Sequence, residues 1–417
     1  RRGAVRPVSP ALLARVAGCG GRRALARALN GASPVTPKRI LFLTTSLYAG
    51  GAELMLLRLL TGLDRRRFAP SVVSLIHLGP VSEKIRQLGI SVRSLGMKPG
   101  KPDPVSLVRL VRWLRQDRPD MLQTWMYHAD LLGGLAGRLA GRIPTAWGIR
   151  HSDPRTHGYG PFTSITVTIC ARLSRWIPKR IVCCSEVSRQ SHAAIGYAED
   201  KMIVIPNGVD LDRLKPDPAA RRQIRQALGI PDDAPVIGLV GRFHPQKGHH
   251  NFVQAARLLS SARPSLRFVL CGEGVTWANR NLVTWIDEAG IRDSCRLLGR
   301  REDIPQLMAS FDLATSASSF GESFANVVSE AMSCGVPCVV TNVGDSAHIV
   351  GSTGMVVPPR NPVALAQAWD RMLDLGRERL TETGLSARER IQEHFNLPRI
   401  VDRYHGLFDE LTAGSPA

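Results

Sequence analysis

Two glutamates, Glu322 and Glu330, lie in a segment whose composition favours anion binding. A strand-like run, Leu313–Ser316, leads into a glycine-containing loop and then a helical run that ends at Gly335. A helix start of this kind presents N–H groups without intrahelical partners and the positive end of the helix dipole. We therefore expect an anion there, with the two carboxylates meeting different ends of an elongated ligand. The alternative is a helix-start carboxylate at Glu322 and a solvated charge at Glu330.

A second loop, Gly241–Gly248, follows the strand-like run Val236–Val240 and carries Arg242 and Lys247. A guanidinium can hold a phosphate through two hydrogen bonds, and an ammonium adds a compact positive charge. Placed together at the end of a strand, these cations could neutralise a diphosphate without a metal ion. A plain surface turn is the alternative for such a loop.

Gly50 and Gly51 lie between the strand-like run Arg39–Thr45 and a helical run, Leu54–Leu63. Adjacent glycines let a backbone approach a ligand closely, although entry into a helix also explains them. His151 follows a further strand-like run, and its imidazole can form hydrogen bonds or handle protons near neutral pH. A structural histidine is the alternative there.

The sequence offers no convincing metal site. Asp210 and Asp212 have the spacing of a metal-binding DxD motif, but they lie among turn residues, where aspartate bonds the backbone. The eight cysteines lack zinc-type paired spacing and are typical of buried thiols in a reducing compartment. We therefore expect no metal and no cofactor. No run reaches the roughly 18 apolar residues that a membrane-spanning helix needs.

Apolar runs alternate with helical runs along most of the chain. This pattern predicts two tandem α/β domains, each with a doubly wound parallel sheet, that join near residues 206–233. Ligands of such sheets bind at the carboxyl ends of the strands, so two facing domains would form a ligand-binding cleft. The predicted strands are Arg39–Thr45, Ser71–Ile76, Met121–Trp125, Thr145–Ile149, Ile181–Ser185, Val236–Val240, Leu266–Cys271, Arg296–Leu298, Leu313–Ser316 and Cys338–Thr341.

The chain is strongly basic, with 55 Lys and Arg residues against 35 Asp and Glu residues and a formal charge of +20. Residues 1–39 carry basic residues and no acidic ones, and we interpret residues 1–36 as a disordered basic extension, with a targeting segment as the alternative. The remaining excess suits a protein that handles phosphates, anionic lipid surfaces or nucleic acid. A solvated basic surface without a partner is the alternative.

These segments resemble, in their order, family 4 of the retaining glycosyltransferases, and the resemblance runs from about Lys38 to about Asp409. Its most specific element is the E-x7-E spacing of Glu322 and Glu330. The other matching motifs are Gly-Gly-Ala-Glu at 50–53, Pro-Asn-Gly-Val-Asp at 206–210, Gly-Arg…Lys-Gly at 241–248 and Gly-Glu-Gly at 272–274.

The resemblance implies the GT-B fold, which is an α/β fold of two Rossmann-like domains with parallel sheets facing across a deep cleft. Residues 37–212 would form the N-terminal acceptor domain, and residues 213–395 the C-terminal domain that binds a nucleotide-sugar donor. Residues 396–417 would form a helix that crosses back to the N-terminal domain.

The resemblance also implies roles at the matching positions. Arg242 and Lys247 would hold the donor diphosphate in place of a metal ion. The backbone at Ser323, Phe324 and Ala325 would complete this anion site.

The other matching positions would surround the sugar and the nucleoside. Glu322 would contact hydroxyls of the transferred sugar, His151 would lie beside that sugar, and Glu330 would accept hydrogen bonds from the ribose. Backbone segments would complete the site, with Gly50 and Gly51 over phosphate and acceptor and Gly299 with Arg300 at the base.

The implied reaction is a retaining transfer of a sugar from a nucleotide-diphosphate sugar, by attack on the face from which the diphosphate leaves. The segment from Tyr127 to Asp153 looks like that of bacterial exopolysaccharide or lipopolysaccharide transferases, which implies a glycan or polyprenyl-linked acceptor and cell-surface polysaccharide biosynthesis. We expect a cytoplasmic protein. Basic residues among apolar ones in Ile165–Arg180 suggest peripheral contact with an anionic inner membrane face; a core-facing helix is the alternative.

Three rival functions remain open at this stage. A nucleotide-sugar epimerase of the same fold would convert its substrate with no acceptor present. A basic nucleic-acid-binding protein would bind tightly without residues 1–36, but no recognised binding motif supports this class, and we expect no nucleic-acid partner. A regulator would bind a nucleotide sugar without turnover.

Overall fold

The computed structural model describes residues 36–48, 50–98, 103–152 and 160–413, which fold into two α/β domains. The basic extension predicted for residues 1–36 therefore lies, except for Thr36, outside the described residues. Within the described ranges, no helix combines the length and the apolar character that crossing a bilayer requires.

The N-terminal domain contains a seven-stranded parallel sheet in the order β3-β2-β1-β4-β5-β6-β7. Its strands are β1 (Lys38–Thr44), β2 (Phe68–Ser74), β3 (Ser91–Ser94), β4 (Met121–Trp125), β5 (Thr145–Ile149), β6 (Arg180–Cys183) and β7 (Met202–Val204). The helices that cover it are α1 (Gly51–Gly62), α2 (Pro80–Gln87), α3 (Pro104–Asp117), α4 (Tyr127–Leu139), α5 (Pro161–Leu173) and α6 (Glu186–Ala193).

The C-terminal domain contains a six-stranded parallel sheet in the order β10-β9-β8-β11-β12-β13. Its strands are β8 (Val236–Val240), β9 (Arg267–Cys271), β10 (Cys295–Leu297), β11 (Leu313–Ser316), β12 (Cys338–Thr341) and β13 (Met355–Val357). The helices that follow the join are α7 (Pro218–Ala227), α8 (His249–Ser260), α9 (Arg280–Glu288), α10 (Ile304–Ala309), α11 (Asn326–Ser333), α12 (Ser346–Val350), α13 (Pro362–Asp374), α14 (Gly376–His394) and α15 (Leu397–Thr412).

All ten predicted strands are present, with ends that shift by up to three residues, and the doubly wound arrangement is confirmed. The sequence analysis missed β3, β7 and β13, which are short strands toward the edges of the two sheets. Few of their residues are buried, so they lack the continuous apolar run that identifies a central parallel strand. The helix predicted at Leu54–Leu63 instead begins at Gly51, so the second glycine of the pair is already helical.

The last helix, α15, packs on the N-terminal domain although it follows the C-terminal one in sequence. Its apolar residues join the core formed by β1, α1 and β4, where Tyr404 and Phe408 are fully buried. The two chain crossings run side by side, because the N–H of Val209 donates to the carbonyl of Phe395 and the N–H of Leu397 donates to the carbonyl of Val209. Two parallel connections therefore join the domains.

In each sheet, the strand order reverses between two central strands, β1 and β4 in one domain and β8 and β11 in the other. A crevice opens at the carboxyl ends of strands where the connections diverge in this way. The loops that follow β1, β8 and β11 carry most of the predicted site residues, and His151 and the Gly299–Arg300 pair follow β5 and β10. The topology therefore brings them to the edges where ligands of such sheets bind.

Candidate functional site

The loops after β8 and β11 pack backbone to backbone. Gly248 has a φ of +67°, and a Cβ atom there would lie 1.9 Å from the carbonyl oxygen of Ala317. The N–H of Ser319 also donates to the carbonyl of Gln246 over 2.8 Å. Only glycine fits this contact, which brings the predicted cationic loop against the predicted anion-binding loop.

Lys247 and Glu322 form an ion pair across these two loops, with 2.5 Å between Nζ and Oε1. The hydroxyl of Ser318 donates to the same carboxylate oxygen over 2.7 Å. The Glu322 side chain is 9% exposed and that of Lys247 is 23% exposed, so the glutamate is the more enclosed partner. Arg242 is exposed on the same loop as Lys247.

Helix α11 begins four residues after Glu322. The three residues between them, Ser323, Phe324 and Ala325, are buried. Gly344 packs closely against this segment. Its φ is +59°, and a Cβ atom there would lie 2.2 Å from the carbonyl oxygen of Glu322. The N–H of Asp345 donates to the carbonyl of Ser323 over 2.9 Å. The structure therefore fixes the direction of the first N–H groups of α11, which lack intrahelical partners.

Residues of the N-terminal domain reach the same helix start. A Cβ atom on Gly51 would lie 2.9 Å from Nδ2 of Asn326, so the first turn of α1 closely approaches the first turn of α11. The side-chain amide of Asn207 donates to Oδ1 of Asn326 over 2.9 Å, and the hydroxyls of Ser185 and Ser323 are 2.7 Å apart. The two domains therefore contact each other at the N-terminus of α11.

The glycine loop after β1 is held by a residue that the sequence analysis gave no role. Glu53 is 7% exposed and accepts a hydrogen bond from the hydroxyl of Ser46 over 2.6 Å. A Cβ atom on Gly50 would lie 2.5 Å from Oε2 of Glu53, so this glycine makes room for the carboxylate. Glu53 ends the Gly-Gly-Ala-Glu motif, and that position was the signal that could have identified it.

His151 of the N-terminal domain faces the cationic loop. Burial lowers the pKa of His151 below its ordinary value; the charge of Arg242 lowers it further, while that of Glu322 opposes this shift. These influences place the imidazole within electrostatic reach of both side chains. The strand that leads to it is fixed by Asp130, which accepts a hydrogen bond from the N–H of Gly148 over 3.1 Å. The segment that the sequence analysis compared with polysaccharide transferases ends at Asp153, which lies outside the described residues.

Glu330 contacts the N-terminal domain through Arg58, whose Nη2 lies 2.5 Å from Oε1. Both side chains are mostly buried, at 19% and 18% exposed. Arg58 also donates to the carbonyl of Gly208 over 3.5 Å. The sequence analysis missed Arg58, because nothing in the sequence of its helix indicates that this arginine meets a carboxylate of the other domain.

Gly299 and Arg300 follow β10, as their positions in the sequence predict. Gly299 has a φ of +64°; its N–H donates to the carbonyl of Val275, and its carbonyl accepts from the N–H of Gly272, each over 2.8 Å. Since its N–H is already bonded, Gly299 shapes the end of the strand, and the exposed Arg300 is the residue of the pair that remains open to a ligand.

The DxD-like pair acts as part of a turn. Oδ1 of Asp210 accepts hydrogen bonds from the N–H groups of Asp212 and Arg213, each over 3.1 Å. Among the residues that the structure describes, no three His, Cys, Asp or Glu side chains cluster in a way that could hold a metal ion.

Two protein-family models match the chain, one for each domain. Residues 49–213 match the model described as Glycosyltransferase Family 4, and residues 220–390 match the model described as Glycosyl transferases group 1. The chain belongs to the GT-B glycosyltransferases. The prediction of a glycosyltransferase is thereby confirmed.

This glycosyltransferase is similar to two curated enzymes over most of their lengths. It is 26% identical to the UDP-Gal:alpha-D-GlcNAc-diphosphoundecaprenol alpha-1,3-galactosyltransferase of Escherichia coli, over 74% of this chain and 80% of that enzyme. It is 28% identical to the 2-deoxystreptamine glucosyltransferase of Streptomyces kanamyceticus, over 64% of this chain and 72% of that one.

The fold of this glycosyltransferase is similar to that of HepE from Anabaena, solved in complex with UDP. The TM-score is 0.78 at 25% identity, and the match covers 89% of this chain and all of HepE. Both domains of the glycosyltransferase are therefore included in the likeness.

Proposed function

We propose that this glycosyltransferase moves a sugar from a nucleotide-diphosphate sugar to a glycan or polyprenyl-linked acceptor with retention of configuration and without a metal ion. The observation that carries the proposal is the meeting of Lys247, Glu322 and the start of α11 in one cleft, with His151 reaching in from the other domain.

The cationic part of the cleft suits a departing diphosphate. The Lys247 side chain is partly exposed, Arg242 lies exposed on the same loop, and the Glu322 that Lys247 binds lies four residues before the start of α11, where the helix dipole has its positive end. A leaving diphosphate gains negative charge in the transition state, and fixed positive groups stabilise that charge without reorganising. Each such donor contributes about 2–4 kcal/mol in comparable oxyanion sites. Two cations can thereby do the work that a metal ion does elsewhere.

The carboxylate nearest this pocket is already engaged. Glu322 is held by Lys247 and Ser318, which suits it to accept hydrogen bonds from sugar hydroxyls and lowers its nucleophilicity. Double displacement needs a free carboxylate about 5 Å from the general acid. We therefore favour front-face attack by the acceptor hydroxyl as the diphosphate leaves. Neutral His151 would then hydrogen-bond the sugar.

The comparisons make a UDP-sugar the first donor to test. HepE is solved with UDP, and the Escherichia coli relative is named for UDP-Gal as donor and a diphosphoundecaprenol-linked acceptor. We propose that Glu330 accepts hydrogen bonds from the ribose, that Arg300 lies toward the base, and that Gly50 and Gly51 lie over the phosphates. A role in cell-surface polysaccharide synthesis follows from the same acceptor class.

The experiment is a thermal-shift screen against UDP-, GDP- and ADP-sugars, followed by a transfer assay with polyprenyl-linked and free glycan acceptors. A ligand that binds only the native state raises the melting temperature. We expect a shift with one nucleotide class, an α-linked product by NMR, and full rate in EDTA. An inverted product or loss of rate in EDTA would contradict the mechanism, and conversion of the sugar nucleotide without acceptor would indicate an epimerase.

A further inference from the structure

Helix α5 exposes a stripe of large apolar side chains on the N-terminal domain. Phe162, Ile165 and Ile169 succeed one another at spacings of three and four residues, so they lie along one side of the helix. They are 51%, 56% and 37% exposed, and Trp176, just beyond the helix, is 63% exposed. Four large apolar side chains in one stretch of surface indicate contact with something other than water.

This stripe is separate from the core-facing side of α5. Thr166, Val167, Cys170 and Ala171 are buried, and the last three pack in the core cluster with Trp147. The inner side of the helix therefore already packs in the core of the N-terminal domain. The sequence analysis treated a core-facing helix and a membrane-facing helix as alternatives, and in the structure α5 has one buried side in the core and one exposed apolar side.

Basic side chains surround the apolar stripe. Arg172 continues the line of Ile165 and Ile169, and Arg175 and Lys179 lie exposed on either side of Trp176 in sequence. Arg138 of α4 donates to the carbonyl of Trp176 over 3.2 Å, which brings a fourth cation to the same place.

Acidic side chains are scarce in the two chain segments that form this surface. From Leu131 to Ser152 and from Gly160 to Ser185, the described residues include no aspartate or glutamate. Glu199 and Asp200 line a pocket together with Arg175, and Glu199 is bound by Arg189. Lys201 lies beside them and donates to the carbonyl of Pro178 over 3.1 Å, which adds a further cation. The surface therefore combines exposed apolar side chains with an excess of positive charge.

We propose that the α5 face, defined as Phe162, Ile165, Ile169 and Trp176 with Arg138, Arg172, Arg175 and Lys179, docks the enzyme on an anionic lipid bilayer. Apolar side chains on such a surface enter the interface, while the cations bind anionic headgroups. Docking through this face of the N-terminal domain does not depend on the proposed donor chemistry.

The test is cosedimentation of the full chain with phosphatidylcholine vesicles that contain or lack phosphatidylglycerol. We expect binding only with the anionic lipid. Each basic residue near such a surface contributes about fivefold to partitioning, so R172Q/R175Q/K179Q should lower it roughly a hundredfold. The apolar variant F162Q/I165Q/I169Q should also lose binding, whereas a purely electrostatic contact would leave it bound.

The matched control is R257Q/R371Q/R379Q, which removes the same charge from exposed positions on α8, α13 and α14 of the C-terminal domain. It keeps the basic residues of positions 1–39, so it should bind as the unmodified protein does. Unchanged melting temperatures would show that all variants fold. Equal binding of the control and the α5 variants would overturn the proposal. Nucleic acid and a second copy of the chain are the other partners that this surface could bind, and two further outcomes would point to them. The α5 variants would keep vesicle binding but lose binding to DNA, or the apolar variant would change from dimer to monomer, and either result would also overturn the proposal.

Discussion

Arg58 in the N-terminal domain donates a hydrogen bond to Glu330 in the C-terminal domain, although the two residues are 272 positions apart in sequence. Glu330 is the residue proposed to bind the ribose of the donor. Because Arg58 occupies only Oε1, ribose hydroxyls can still donate to the second carboxylate oxygen. The ion pair thereby orients a ligand-binding carboxylate and joins the domains across the cleft.

A double-mutant cycle tests this relationship. Glu330→Gln removes a charged acceptor worth about 1.5–3 kcal/mol, so donor affinity should fall roughly ten- to a hundredfold. Arg58→Gln should weaken binding less, by about fivefold, because it only frees the carboxylate to move. The double variant should resemble E330Q alone, since the arginine then has nothing to orient. Calorimetric titration with the donor gives the three dissociation constants, and additive effects would show that Arg58 acts elsewhere.

Arg242→Ala and Lys247→Ala should each lower kcat/KM by roughly a hundred- to a thousandfold, because each removes a fixed positive charge from the leaving diphosphate. The two variants should differ in stability. Only K247A should lower the melting temperature, since it leaves the enclosed Glu322 carboxylate without its ion partner. Arg257→Ala, at an exposed site on α8, is the control and should change neither quantity. Near-normal turnover in both cleft variants would remove the diphosphate assignment.

Gly248→Ala should destabilise the protein by more than 2 kcal/mol and remove activity, because the new Cβ atom would lie 1.9 Å from the Ala317 carbonyl oxygen. Gly229 is the matched control, with a similar φ of +62° and no atom within 4 Å of the added carbon. G229A should therefore cost only the left-handed backbone strain of about 1–2 kcal/mol. Urea unfolding measures both changes. A similar loss in the two variants would mean that backbone strain, and not the contact between loops, decides the effect.

His151 should titrate below its ordinary value, so the neutral imidazole should persist to mildly acidic pH. Arg242→Gln should raise its pKa, because the removed cation disfavours the protonated ring. Glu322→Gln should lower the pKa further, because the removed anion favours that form. NMR titration of the ring protons measures all three midpoints, and a shift of the same sign in both variants would contradict the placement of the imidazole between the two loops.

Much of the fold could be predicted from the sequence, because a central parallel strand is a continuous apolar run and its loop follows directly. The loops at Gly241–Gly248 and Phe320–Ala325 were therefore identified with their elements. The edge strand Ser91–Ser94 was missed, because its half-exposed residues have no such run. Glu53 was overlooked for a different reason: its buried position under Gly50 depends on how the loop folds.

The sequence by itself determined which residues carry charge, which loops carry glycine, and in which order the strands and helices follow, since these features are local along the chain. Only the tertiary structure decided that Lys247 meets Glu322, that Arg58 meets Glu330, and that Gly51 approaches Asn326. Such contacts depend on the relative placement of two separately folded sheets. No spacing within either half of the sequence encodes that placement.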